Sequence, residues 1–214
     1  MSTIAISAAD VNKLRQMTGA GMMDCKKALD NTNGDFEAAI DFLRKSGQKV
    51  SAKRADREAN EGVVVAKTSG NKGIVLKLTS ETDFVAKNAD FVAFAESIAA
   101  EAINNFPSDL ESLKKLSLGN RTIGDAIDEQ VAKIGEKIDI GYLELVEGSR
   151  VASYIHPGNR LAVALGFNKT VNEEVYKNIA MQAAAMAPVS IDKEDVDPTV
   201  INRELDIARE TTRA

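Results

Sequence analysis

Apolar residues recur every three or four positions through the first 47 residues, and the period then changes. Ser7 precedes a run with Val11, Leu14 and Met17 at helical spacing, which predicts a helix capped by Ser7 with these three on its inward stripe. Thr18-Gly19-Ala20-Gly21 breaks that run. A second helix is predicted over about Met22–Asp30, carrying Met22, Cys25, Lys26 and Leu29. After the Asn33-Gly34 turn, Asp35 caps a third with Phe36, Ala39, Ile40 and Leu43. Short helices are marginal alone, so residues 1–47 read as a three-helix bundle. Residues 48–61 then read as a polar, basic linker helix.

From Gly62 the pattern is that of strands. Gly62–Thr68 and Gly73–Thr79 flank Ser69-Gly70-Asn71-Lys72, a hairpin signal. A helix with Phe91, Phe94, Ala95, Ile98 and Ala102 follows and ends before Pro107. Next come a polar helical stretch over Ser108–Leu116 and a helix opened by Thr122-Ile-Gly-Asp125, close to a capping box. Strands return at Ile138–Glu147, Val151–His156 and Leu161–Phe167, then a helix over about Asn172–Met186. Two strands joined by a Gly/Asn turn and followed by an Ala-rich helix thus occur at 62–104 and again at 151–186. Thr170-Val171-Asn172 stands in the second unit where Thr82-Asp83-Phe84 stands in the first.

The fold class is therefore α+β: a helical module, then a pseudo-duplicated core of antiparallel sheets with packed helices. The divisions fall at 62–137 for the first core subdomain, 138–190 for the second, and 191–214 for the start of a C-terminal helical segment. Pro198 after Asp197 starts that last helix, Ile201, Leu205 and Ala208 give it one apolar stripe, and it reaches Ala214 with no C-terminal cap signal, as a shortened product would.

Composition sharpens the function class. The 214 residues carry a net charge of −5, which argues against direct nucleic-acid binding as the main role. The charge is uneven: residues 1–57 hold ten Lys/Arg against seven Asp/Glu. The basic strip Lys45–Arg57 is a solvated helix face, or a surface for RNA or an acidic partner; no aromatic residues interleave it to stack on bases. One cysteine, Cys25, permits no internal disulfide, and no apolar stretch suits a membrane span, so a cytoplasmic protein is expected. With one Cys and one His far apart, neither a metal site nor a Cys25–His156 nucleophile pair is supported. No phosphate-binding glycine loop is present. The residues point to a binding protein without a cofactor.

The stretch that stands out is Ser80-Glu-Thr-Asp-Phe-Val-Ala-Lys-Asn88, where a strand hands over to a helix. Thr82 or Asp83 suits an N-cap. Phe84 either plugs the domain's own core or is held out for a partner.

Thr18-Gly-Ala-Gly-Met-Met-Asp-Cys-Lys-Lys-Ala-Leu29 with Asn33-Gly-Asp35, and Thr82-Asp-Phe-Val-Ala-Lys87, closely resemble the bacterial elongation factor Ts family. The likeness extends to Val131-Ala-Lys-Ile-Gly-Glu136 and to Ser153-Tyr154 with His156. It implies a ubiquitin-associated-like N-terminal module, a two-subdomain core, and a partner, elongation factor Tu, from which the factor releases GDP. It implies further that Thr82, Asp83, Phe84 and Val85 form a wedge that dislodges the partner's magnesium ion. Arg15, Met22 and Met23 would touch a partner helix; Ile134, Gly135 and Glu136 resemble a further contact stretch, and His156 in the second unit is a separate contact candidate. Met22 and Met23 are equally placed to serve the bundle core. Glu81 stands where the family often has Gln, a change expected to be minor. Family members commonly continue with a helical hairpin, a further core strand and a C-terminal helix. Their lack would leave a sheet edge open and the terminal helix available for self-association.

Overall fold

Ser7 opens the first helix through a complete capping box: the Asp10 N–H donates to Ser7 Oγ at 3.1 Å and the Ser7 N–H to Asp10 Oδ2 at 3.1 Å. The computed structural model describes residues 5–213, so residues 1–4 of the helical module and Ala214 lie outside the described residues. Helices α1 (Ala8–Thr18), α2 (Met22–Asn31) and α3 (Phe36–Arg54) form the bundle around buried Leu14, Cys25, Ala28, Leu29 and Ala39. Met17, expected inside, is 54 % exposed; it lies in the last turn of α1, beyond the reach of that small core.

Helix α3 differs from the expected break at residue 47, for it runs without interruption to Arg54. The reason lies in what it packs against. Gly47 is buried, and a Cβ placed there would stand 3.2 Å from the Asp128 carbonyl oxygen and 3.6 Å from the Ala132 Cβ. That close approach lets α3 lie on α7 (Ile123–Ile134), and Val50 packs on the main core. The segment read as a linker is thus the end of α3 as far as Arg54, followed by a non-helical connection to β1 at Glu61.

The main sheet is β1 (Glu61–Ser69), β2 (Lys72–Ser80) and β5 (Asp139–Glu147), all antiparallel in the order β1-β2-β5. The sequence division placed 139–147 in the second subdomain; the strand instead completes the first sheet. Periodicity reveals a strand but not its neighbour, and here the paired positions run from Thr79 opposite Asp139 to Lys72 opposite Glu147, far back in the chain. Val63 and Val65 face α5 (Ala89–Asn105), while Val64 and Ala66 are also buried, on the face covered by β6 (Arg150–Ile155) and β7 (Ala162–Phe167). The Val64 N–H donates to the Asn159 carbonyl at 2.7 Å, tying the β6–β7 turn to β1. A one-turn α4 (Asp83–Ala86) precedes α5; α6 (Leu110–Lys115) and a two-residue hairpin, β3 (Ser117–Leu118) with β4 (Arg121–Thr122), precede α7. That hairpin is too short to leave a periodic signal.

The internal echo is visible, with one adjustment. Helix α8 (Glu173–Met186) is capped by Asn172, whose Oδ1 accepts from the Glu174 N–H at 2.7 Å. Its counterpart is Asn88, whose Oδ1 accepts from the Asp90 N–H at 2.8 Å at the start of α5, rather than the Thr82 segment. Both helices also end alike, on a left-handed non-glycine residue before a proline: Phe106 at φ 48° and Ala187 at φ 44°. The extra turn α4 is what the first unit adds. Helix α9 (Pro198–Arg213) closes the chain with exposed Val200, Ile201, Leu205 and Ile207. Among the described residues no helix is long and apolar enough to cross a membrane.

Candidate functional site

The end of β2 delivers the chain at buried Ser80, whose hydroxyl donates to the Thr82 carbonyl at 2.9 Å. Thr82 is extended and caps α4; its Oγ1 accepts a long bond from the Val85 N–H at 3.5 Å. Stronger ties come from the other side. The Thr82 N–H donates to Glu136 Oε2 at 3.0 Å and its hydroxyl to Glu136 Oε1 at 2.6 Å. Glu136 is placed there by Gly135, which ends α7 in the left-handed region at φ 80°.

On this anchored turn Phe84 is 83 % exposed, while Ala86, two residues on, is buried. The side chain is presented, and the core is plugged without it. Asp83 sits beside it, its Oδ2 2.6 Å from the Lys87 Nζ. The Lys87 bond lowers the Asp83 carboxyl below its ordinary range, and Arg160 adds a smaller pull. Phe84, Val85, Asn88 and Phe91 line one side of a shallow hollow whose other side is Gln130, Lys133 and Ile134 of α7. The structure therefore brings Thr82–Val85 together with Ile134, Gly135 and Glu136. Glu136 is there as an internal anchor of the Thr82 turn, a role its sequence context did not suggest.

The remaining candidates are spread along the surface. Met22 and Met23 open α2 and are 55 % and 76 % exposed, so neither is bundle core. Arg15 is exposed on α1. Lys133 lines the hollow beside Phe84 and also the cleft beside Met17, Thr18 and Gly21, so the last turn of α7 separates the bundle's first turn from the wedge. His156 is exposed in the β6–β7 turn, with its Nδ1 3.0 Å from the Tyr154 hydroxyl. Four residues on, Arg160 pairs with Glu61 at 2.7 Å, holding that turn over the start of β1. Cys25 is buried, and burial pushes its thiol pKa up, away from nucleophile chemistry. Among the described residues no group of three or more His, Cys, Asp or Glu is placed to hold a metal ion.

The sequence reading gave Glu81 only as a minor departure and Arg54 and Arg57 only as members of the basic strip, and it passed over Lys137. Glu81 accepts from Arg54 Nη1 at 3.0 Å, Arg57 Nη1 at 3.1 Å and the Lys137 N–H at 2.6 Å. The Lys137 backbone bond is the largest cause holding its carboxyl below the ordinary 4.5, with Arg57 and Arg54 adding to it against the cost of burial. No local pattern could reveal these partners. Two of the cations in the basic strip, Arg54 and Arg57, are thus paired with a carboxylate of the protein itself.

Comparison with known proteins shows which family the chain carrying this presented turn belongs to. The family described as Elongation factor TS matches residues 81–214, beginning at the wedge segment. The chain belongs to the elongation factor Ts family. A protein named elongation factor Ts from Christiangramia forsetii is 50 % identical over 212 residues, covering 97 % of this chain and 77 % of that relative. Elongation factor Ts proteins of Porphyromonas gingivalis and Cytophaga hutchinsonii are 46 % and 48 % identical, over 97 % and 100 % of this chain and 76 % and 78 % of their own lengths. The chain thus spans about three quarters of these elongation factor Ts relatives.

Proposed function

We propose that the chain is a guanine-nucleotide exchange factor of translation elongation, acting in the cytoplasm on elongation factor Tu bound to GDP. Membership in the elongation factor Ts family supports the elongation role. One observation carries the finer reading: Phe84 stands out of the protein on a turn that is anchored from below. In this reading Asp83 and Phe84 enter between helices of the partner's GTPase domain and displace the magnesium ion that bridges protein and phosphates. Met22, Met23 and Arg15 hold a partner helix with the bundle, and the 134–136 stretch and His156 add contacts.

Magnitudes limit what the wedge does by itself. Burying a Phe side chain is worth about 1.5–3 kcal/mol, and about 1.4 kcal/mol changes an affinity tenfold. Phe84 alone thus accounts for a weakening of nucleotide binding by roughly 10- to 100-fold. A larger effect draws on the other contacts. Coupling is reciprocal, so GDP weakens the factor as much as the factor weakens GDP. Release is then speeded by binding alone, with no reactive residue and no cofactor on this chain.

The test mixes the protein with elongation factor Tu loaded with fluorescent GDP. The reading expects faster nucleotide release and, without nucleotide, co-elution of the two proteins in gel filtration. A folded sample that does neither rules it out.

A further inference from the structure

Between buried Ser80 and buried Ala86 the wedge's backbone is directed by residues 81–83, and the ties on that stretch form a two-way lacing. Glu81 reaches out to the Lys137 N–H at 2.6 Å, while Glu136 reaches back to the Thr82 N–H at 3.0 Å. Each segment's side chain satisfies the other's backbone. A third segment joins from the bundle side. Arg54 and Arg57, at the end of α3, both grip Glu81, and Lys137 Nζ donates to the carbonyls of Ala55 at 2.5 Å and Arg57 at 2.8 Å. The end of α3, the start of the wedge and the exit of α7 therefore meet on one carboxylate.

We propose that Glu81, with Arg54 and Arg57, is a positioning residue for nucleotide exchange: it fixes the direction in which Asp83 and Phe84 are presented and joins that direction to the helix shared with the N-terminal bundle. This rests on the exchange reading above. Glu81 accepts from Arg54, Arg57 and the Lys137 N–H through a side chain that is 18 % exposed, turned inward beside the outward Phe84. It acts through the wedge and touches no reacting group. Charge-assisted bonds in a part-buried site are short and directional, which suits a fixed presentation better than a general stabilising role. The bundle's α3 is one continuous helix from Phe36 to Arg54, so the surface of the bundle and the base of the Phe84 turn are joined through a single element.

Two measurements on the full chain test this. The first is release of fluorescent GDP from elongation factor Tu against factor concentration, for the unmutated chain, Glu81→Ala, Glu81→Gln and the Arg54→Ala/Arg57→Ala pair. Misdirection of the wedge acts in the exchange step, so Glu81→Ala lowers the maximal rate by about tenfold and moves the half-saturating concentration by less than about threefold. Glu81→Gln keeps an oxygen for the Lys137 N–H and recovers most of the rate. The second is amide hydrogen exchange without any partner. In Glu81→Ala the amides of Thr82 and Val85 exchange about tenfold faster or more, while those of Ile74 and Leu76 in β2 keep their protection. An unchanged maximal rate with unchanged protection at 82–85 overturns the proposal. So does an equal loss of protection throughout the sheet, which makes Glu81 structural only. If the unmutated chain does not speed release, the exchange reading fails, and amide protection alone decides whether Glu81 directs the turn.

Discussion

Glu136 holds Thr82 at two points, its carboxylate oxygens lying 3.0 Å from the Thr82 nitrogen and 2.6 Å from the Thr82 hydroxyl. Fifty-four positions separate the two residues, yet this pair sets the base of the only exposed Phe in the wedge segment. Removing the carboxylate leaves a part-buried amide and hydroxyl without their acceptor, which costs about 1–3 kcal/mol. Glu136→Ala is therefore expected to lose about 1–3 kcal/mol of unfolding free energy and to unfold at lower urea. Glu136→Gln, which keeps one acceptor oxygen, is expected to recover about half. Paired denaturation curves check both.

Acid should loosen the wedge base. The Glu81 carboxyl is held below its ordinary 4.5 by the Lys137 N–H and by Arg57 and Arg54. Its contribution to stability is present above 4.5 and is lost as the pH falls through the lowered folded value. Glu129 runs the other way: burial raises its pKa, so its contribution is present at low pH and fades as pH rises through that raised value. The difference in stability between the unmutated chain and Glu81→Gln isolates the first effect. That difference is expected to be constant near neutral pH and to shrink on acidification below 4.5. A difference independent of pH down to the acid transition would contradict it.

Gly47 marks where the bundle meets the core. A leucine there has to displace the Asp128 carbonyl, only 3.2 Å from where its Cβ would stand. Overpacking of this kind costs about 1–3 kcal/mol, whereas the helix-propensity gain over glycine is about 0.8–1 kcal/mol. Gly47→Leu is thus expected to destabilise the protein, and Gly47→Ala to come out near neutral. Thermal melts of the two variants separate these outcomes.

Met23 is 76 % exposed and touches no core. Met23→Glu is expected to leave unfolding within about 0.5 kcal/mol of the unmutated chain while weakening association with elongation factor Tu. Calorimetric titration beside a melt distinguishes this from a folding defect.

What the sequence made legible was local. Ser7 with Asp10 and Thr122 with Asp125 lie three residues apart, and both appear as full capping boxes. The hairpin turn at Gly70-Asn71 sits where the Gly/Asn signal put it, with Ser69 opposite Lys72. Long-range choices were not legible. Strand 139–147 carries the same alternation whichever sheet it joins, and only its pairing with β2, from Lys72 opposite Glu147 to Thr79 opposite Asp139, assigns it. Glu81 read as a minor change because its partners lie 27, 24 and 56 positions away. Phe84 was left between core and surface by its local pattern, and the exposure of its own side chain resolves the choice.

The most direct test of the account is Phe84→Ala in nucleotide release. Because the ring is 83 % exposed, the variant is expected to fold and melt like the unmutated chain. At saturating factor, the release of fluorescent GDP from elongation factor Tu is expected to slow by roughly 10- to 100-fold, the value of one buried Phe side chain. Equal release rates for Phe84→Ala and the unmutated chain would contradict the wedge.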